Sequence, residues 1–295
     1  MASPLVGELE GVEPMFANYI KEIEIEELWS GQKHICWQLS PRVNVLSGIN
    51  GVGKSTILNK IIRQLNEQRT YKLEPEEGVR IVTEPTDATE IRYDIIRSFD
   101  RPLLSSDALG KLDRTLLTEL DCQLFNLQRR YLDYQVNIGN RIIQALQSGS
   151  PRAAEEAQKL SAQKKKFQDL VDELFAETGK KLIRTENEIR FSQIGEVVRP
   201  TQLSSGEKQI LCILLTVLVE DMQPYVLLMD EPEVSLHIDW QERLIEMILD
   251  LNPNVQLILT THSPAVIMKG WMDNVTNVED IVISSKQASR LKAKG

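Results

Sequence analysis

Residues 48–56, Gly-Ile-Asn-Gly-Val-Gly-Lys-Ser-Thr, constrain the fold of this chain more than any other stretch, because they match G-x-x-x-x-G-K-[ST]. The apolar run at 43–46 predicts a strand before the loop, and Ile57, Leu58, Ile61, Ile62 and Leu65 repeat at helical spacing after it. Strand, glycine-rich loop and helix in that order predict a phosphate-binding loop inside an α/β domain. The glycines let the backbone curl so that N–H groups converge on phosphate oxygens, and the helix start adds its positive end. In such a loop Asn50, Gly51, Gly53, Lys54, Ser55 and Thr56 bind the triphosphate, Lys54 reaching the β- and γ-phosphates and Ser55 ligating Mg²⁺. A nucleoside triphosphate and Mg²⁺ are the expected cofactors.

Residues 225–232, Tyr-Val-Leu-Leu-Met-Asp-Glu-Pro, read as a buried strand that ends in two carboxylates. Ligands of open α/β sheets sit at the carboxyl ends of strands, so Asp230 is placed to hold Mg²⁺ and Glu231 to polarise an attacking water. Taken alone, this is an ordinary strand capped by an acidic turn; its conjunction with the phosphate loop favours chemistry. Leu-Ser-Ser-Gly-Glu-Lys-Gln at 203–209 precedes an apolar helix at 210–219. Ser204, Ser205, Gly206 and Glu207 therefore sit at a helix N-terminus, where backbone donors are free to meet phosphate. The plainer reading is an N-cap with Glu207 as its capping-box partner. Thr-Thr-His-Ser-Pro at 260–264 follows a buried strand at 255–259 and brings the His262 imidazole to the same sheet edge, although a lone histidine after a strand is more often structural.

The order of these four elements resembles the ATP-binding-cassette ATPases, including their structural-maintenance-of-chromosomes, RecF-like and OLD (overcoming lysogenization defect) branches. The resemblance covers roughly residues 18–100 and 188–285. It implies that two heads sandwich ATP: Ser204 and Gly206 of one head contact the γ-phosphate held by Lys54 of the other, while His262 senses that phosphate. Hydrolysis then requires a homodimer or higher homo-oligomer. Glu-Val-Ser-Leu-His at 233–237 is similar to the OLD and RecF-like enzymes, whereas transporter heads usually continue with Thr or Ser-Ala-Leu-Asp. His237 falls where the family's D-loop crosses the dimer interface; capping the following helix is its other reading. Ser205 departs from the first glycine of the usual Ser-Gly-Gly signature. The family's glutamine loop stays unassigned, since Gln64 and Gln68 fall in the first helix and Gln193 in a predicted strand.

With 295 residues the chain can bury a substantial core, and its longest apolar run, 210–219, is shorter than the ~20 residues a bilayer requires. Glu8, Glu10 and Glu13 are unlike a secretory or mitochondrial leader. Cys36, Cys122 and Cys212 are isolated, as expected of buried thiols in a reducing cytoplasm. A net charge of −9 disfavours indiscriminate nucleic-acid binding, yet three basic clusters keep DNA possible: Lys164 to Lys166; Lys180 and Lys181 with Arg184; and Lys286, Arg290, Lys292 and Lys294.

Period-two alternation predicts an antiparallel strand at 20–28, a second at 35–39 joined through Ser30-Gly31, and a third at 80–83 after a bend at 74–78. Leu109, Asp113, Leu116, Leu120, Leu124, Leu127, Tyr131, Tyr134, Ile138 and Ile142 form one helical stripe. After a break at 147–151 a second stripe runs from Ala153 through Ala157, Leu160, Lys164, Phe167, Val171 and Leu174 to Thr178, with Gly179 as a stop. The layout is therefore an α/β head with a mixed sheet in two parts, 1–100 and 188–295, interrupted by an antiparallel helical hairpin at 101–187. That arm would reach ~50 Å, projecting or half-docked. It lies where chromosome-maintenance ATPases insert coiled coils but is too short to encircle DNA, which suits a lever or docking surface. Past His262 the chain offers a helix near Ala265 and a strand at 280–284, and no room for the C-terminal nuclease domain of OLD enzymes. An ATP-hydrolysing switch for a separate effector such as a nuclease or toxin is thus the favoured expectation, resembling the stand-alone ATPases of bacterial antiphage modules such as Septu, PARIS and some retrons. A DNA-repair or replication ATPase akin to RecF is the alternative, and a transporter subunit fits least.

Overall fold

The computed structural model describes residues 14–29, 33–69, 78–97 and 118–283. β1 (Tyr19–Leu28), β2 (Lys33–Gln38), β4 (Val79–Glu84) and a short β12 (Val282–Ile283) form an antiparallel sheet in the order β12-β2-β1-β4. β3 (Val43–Ser47), β5 (Tyr93–Arg97), β9 (Tyr225–Asp230), β10 (Val255–Thr260) and β11 (Val275–Asn277) form a parallel sheet in the order β11-β3-β10-β9-β5. The phosphate-loop helix α1 (Lys54–Arg69) packs with both sheets, burying Ile57, Leu58, Ile61, Ile62 and Leu65 together with Ile20, Ile23 and Trp37. The mixed α/β head is as expected.

Alternation along the central strands divides the interior into two cores. β9 sends Tyr225, Leu227 and Met229 to one side and Val226 and Leu228 to the other, because successive strand side chains point to opposite faces. The core opposite α1 is filled by α4 (Ser205–Val219), α5 (Ile238–Leu251) and the bases of α2 (Glu119–Gln147) and α3 (Ala153–Leu174). α4 is buried on nearly every side, which accounts for its unbroken apolar run. Buried Gln256 ties the sheets together: its Oε1 accepts from the Ile20 N–H at 2.8 Å, and its Nε2 donates to the carbonyls of Ile20 at 2.7 Å and Ser40 at 2.8 Å. A buried amide paired this way stiffens the joint instead of weakening it.

The helical hairpin is half-docked. Thr118 caps α2, its hydroxyl accepting from the Asp121 N–H at 3.2 Å, and the stripe is buried from Leu120 to Ile138. Beyond that point Ile143 and Leu146 are 52% and 55% exposed, and α3 is buried only from Phe167 onward. Arg141 still pairs with Asp221 and Ile142 still packs on the core, so the free part of α2 is only the tip beyond them, well short of the expected ~50 Å. The stripe's regular spacing did not reveal that its basal two-thirds packs on α4. Arg130 clamps this base by donating to Asp94 on β5 through two bonds of 3.1 Å and to Glu220 at the end of α4, while Lys208 of α4 pairs with Asp121 at 2.8 Å. Burial, with Asp94 beside it, pushes the Glu220 carboxyl up to about 7.

α3 stops at Leu174 and a 3₁₀ turn, Ala176–Thr178, carries the chain to Gly179. A small sheet follows, β6 (Lys181–Leu182), β7 (Phe191–Gln193) and β8 (Glu196–Val198), and leads into the turn before α4. A short helix α6 (Pro264–Met268) follows β10. The expected strand at 280–284 is realised as a 3₁₀ turn, Val278–Ile281, and then β12. The hairpin turn at Ser30-Gly31, the bend at 74–77, stripe positions Leu109, Asp113 and Leu116, the terminal acids Glu8, Glu10 and Glu13, Ser284, and the cluster of Lys286, Arg290, Lys292 and Lys294 lie outside the described residues. Cys36, Cys122 and Cys212 are all free; Cys212 is buried, whereas the first two are partly exposed, contrary to the expectation that all three are buried. No described helix is long and apolar enough to cross a membrane.

Candidate nucleotide site

A cavity of about 570 Å³ opens over the loop between β3 and α1, lined by Trp29, Asn50, Gly51, Gly53, Lys54, Ser55, Thr56, Glu231 and His262. Gly53 cannot be exchanged: its φ is +101°, and a Cβ there would lie 2.4 Å from the Trp29 indole. Trp29 itself was not foreseen. It directly follows β1, well before the loop in sequence, and its one local signal is a lone aromatic residue ahead of Ser30-Gly31. Lys54 is 5% exposed, and its Nζ donates to the carbonyls of Gly48 at 3.0 Å and Ile49 at 3.4 Å. Burial pulls the Lys54 ammonium below the ordinary lysine range, against the opposing pull of Glu231 and Asp230.

The parallel register sets Thr260 opposite Asp230 and builds the acidic edge. Asp230 Oδ1 accepts from Ser55 Oγ at 3.0 Å and from Thr260 Oγ1 at 2.6 Å. The Glu231 N–H donates to Thr260 Oγ1 at 3.0 Å and to its carbonyl at 3.1 Å. These bonds fix Glu231 at φ +48°, a left-handed conformation that costs a side-chain-bearing residue ~1 kcal/mol or more. Its Oε1 then lies 3.2 Å from His262 Nε2. Thr260, in the sequence only the first residue of the segment that carries His262, touches both acids. Ser55 and Asp230 together present oxygens suited to Mg²⁺, which is commonly held by one or two protein oxygens plus phosphate oxygens. A carboxylate with an imidazole against it can accept a proton from water.

Ser204, Ser205, Gly206 and Glu207 do not line this cavity. Ser204 and Glu207 form the capping box of α4: the Glu207 N–H donates to Ser204 Oγ at 3.3 Å, and the Ser204 N–H donates to Glu207 Oε2 at 3.0 Å. Glu207 also accepts from Thr178 and Lys180, each at 2.9 Å. Burial opposes its ionisation, but Lys180 and the other donors hold the carboxyl below the usual range. Its side chain faces inward and shapes the turn, as its reading as a capping-box partner expects. Ser205 occupies the first position of α4 with no positive φ, so the departure from glycine is free of backbone strain. Ser204 and Ser205 are exposed, and first-turn N–H groups such as those of Ser205 and Gly206 have no helical acceptor.

Gly206 is required for a reason internal to the head: a Cβ would lie 2.5 Å from the carbonyl oxygen of Ser235, in the turn that follows Glu231. Replacing Gly206 with alanine should cost ~1–3 kcal/mol by overpacking, whereas the same change at exposed Ser205 should stay within ~0.5 kcal/mol. Urea unfolding of the two variants checks this, and equal midpoints would show that the contact yields. His237 caps α5, its Nδ1 accepting from the Asp239 N–H at 3.5 Å, and its ring is exposed. Gln64 is buried in α1 and Gln193 donates to the Thr178 carbonyl at 2.7 Å. Neither lines the cavity.

A phosphate loop feeding α1, an Asp-Glu pair two strands away and a histidine from the strand between them mark the chain as a P-loop ATPase head of the ATP-binding-cassette and chromosome-maintenance type. More narrowly, a family model described as "AAA domain, putative AbiEii toxin, Type IV TA system" matches residues 92–268, and the chain belongs to that family. "Retron Vc95 probable ATPase" from Vibrio cholerae is 26% identical over 163 residues, 50% of this chain and 32% of that protein. The phosphate import ATP-binding protein PstB of Mycoplasma mobile is 34% identical over 84 residues, 26% of this chain and 29% of that protein. The chain thus spans about a third of the length of these curated relatives. Among solved structures, an SmcHead bound to the C-winged helix domain of ScpA is similar with a TM-score of 0.49 and 17% identity, covering 92% of this chain and 99% of that one. The SMC head domain from Thermotoga maritima is similar with a TM-score of 0.44 and 17% identity, covering 88% and 94%.

Proposed function

We propose that two copies of this chain close around ATP, hydrolyse it, and thereby switch a separate effector protein in bacterial antiphage defence. The observation that carries this reading is the separation of two halves of one chemistry. Lys54, Ser55, Asp230, Glu231 and His262 converge on one cavity, while the exposed Ser204-Ser205 turn with its open N–H groups lies elsewhere on the same head.

In this scheme Lys54 and the loop N–H groups bind the phosphates, and the partner's signature turn meets the γ-phosphate from the far side. Ser55 and Asp230 would hold Mg²⁺, which supplies charge neutralisation at the β- and γ-oxygens. Glu231 accepts the proton of the attacking water, and His262 orients that carboxylate and contacts the γ-phosphate. Closure is favoured because the γ-phosphate is touched from both heads; hydrolysis removes the bridge. The helical hairpin of α2 and α3, its tip free of the head, is the surface offered to an effector. A retron ATPase among the relatives supports the defence setting.

Direct DNA clamping is less well supported, since four of the six described residues of the basic clusters already pair with carboxylates of the chain. Lys165 pairs with Asp169, Lys166 with Asp250, Lys180 with Glu207, and Arg184 with Asp169 and Asp172.

Mixing two inactive variants tests the shared site. Lys54→Ala removes the phosphate grip, and Ser205→Glu sets a negative charge against the partner's phosphate while suiting the helix N-terminus of its own head. Each alone should be inactive, whereas the mixture pairs an intact loop with an intact signature and should regain roughly a quarter of wild-type phosphate release, given random pairing of two sites per dimer and tolerance of one dead site. No recovery on mixing well-folded variants would contradict a site shared between copies.

A further inference from the structure

We propose that Glu233 is the positioning residue for His262, acting through the backbone of the 261–263 turn. The inference deepens the hydrolytic reading of the cavity and rests on it for the kinetic consequence alone. Glu233 lies two residues past Glu231, is 5% exposed, and directs Oε1 at three successive residues of the neighbouring strand's exit. That oxygen accepts from the Thr261 hydroxyl, from the His262 N–H at 3.0 Å and from the Ser263 N–H at 3.2 Å. Successive N–H groups converging on one anionic oxygen form a nest, and bonds to a charged acceptor are shorter and stronger than neutral ones.

The two turns are also tied from the far side. Gln241 Nε2 donates to the carbonyls of Glu233 at 3.2 Å and Leu236 at 2.9 Å, and its Oε1 accepts from Ser263 Oγ at 2.6 Å. His262 is consequently held at two points, its backbone by Glu233 and its ring by Glu231 at 3.2 Å. Two residues of one turn thus fix one imidazole. The second oxygen of Glu233, Oε2, is buried with no hydrogen-bond partner among the described residues. A half-satisfied buried carboxylate is costly and calls for a reason. Holding His262 with a full charge supplies one.

The chain has three histidines, so the ring signals of His34, His237 and His262 can be assigned in ¹⁵N NMR spectra by single substitutions. Glu233→Gln keeps the side-chain shape and removes the charge; it should shift the His262 ring signals toward those seen when Glu231→Ala removes the ring's partner. Thr261→Val, which deletes one of the three donors, is the milder arm and should move the same signals in the same direction. Unchanged His262 signals in Glu233→Gln would overturn the proposal whether or not the chain hydrolyses ATP. In steady-state kinetics Glu233→Gln should lower kcat roughly 10–100-fold with little change in KM, as a small misplacement of a catalytic group does. In a His262→Ala background the same change should cost less than about twofold, because residues acting as a unit are non-additive. Equal losses in both backgrounds would mark Glu233 as a general staple and overturn the positioning role. An unsubstituted chain without ATPase activity would refute the hydrolytic reading and leave the NMR result to decide on Glu233.

Discussion

Replacing Lys54 with alanine should weaken Mg-ATP binding by at least ~100-fold, a loss of about 2.7 kcal/mol. The side chain is almost wholly buried under the loop, where among the described residues the carbonyls of Gly48 and Ile49 meet its ammonium. Burial already pulls its pKa down, so the charge is poorly solvated and gains more from a triphosphate than an exposed lysine does. A charge-assisted bond contributes ~1.5–3 kcal/mol, and the truncation also removes the cation that offsets Asp230 and Glu231 at the cavity. Isothermal titration with ATP measures the loss. Affinity within threefold of the unsubstituted chain would mean that the cavity over α1 is not where the nucleotide's phosphates bind.

Glu231→Gln separates binding from chemistry. Glutamine preserves shape and can still accept from His262 Nε2, so the 3.2 Å contact and the left-handed backbone both have reason to persist. What disappears is the capacity to take a proton from water, and loss of a general base costs typically 10²–10⁴-fold in rate. Phosphate release should therefore fall at least ~100-fold while ATP affinity stays within a few-fold of the parent, as expected when an interaction made only in the transition state is removed. Hydrolysis at the parental rate would remove Glu231 from the role of base.

Much of the site could be read from the chain because its parts are local. The loop at 48–56, the acids at 230 and 231 and the histidine at 262 each follow a strand whose apolar run marks it, and the sheet order then gathers them. Side chains that act across the fold escaped notice. Trp29 reaches Gly53 from the end of an antiparallel strand, and Thr260 meets Asp230 only through the β9–β10 register. Glu233 served as a mark of lineage in the sequence; its burial under the His262 turn is a property of the fold. Gly206 was read as a ligand contact, and the close approach of Ser235 gives it a structural reason as well. The arm shows a different limit. Helical periodicity places Leu120 to Ile142 on one face, but whether that face meets α3 alone or also α4 depends on what lies beside it. The strand holding Gln193 was expected and is β7, whereas β5, β6, β8 and β11 are short, and β5 lacks the alternation that would have announced it.

Self-association around ATP is decided by mass. Sedimentation of Glu231→Gln should give a species of twice the chain mass at saturating Mg-ATP and a single chain without nucleotide, and adding Ser205→Glu should return the nucleotide-bound form to a single chain. A Glu231→Gln chain that binds Mg-ATP yet sediments as a monomer at every concentration would contradict the shared site, and the switch built on it.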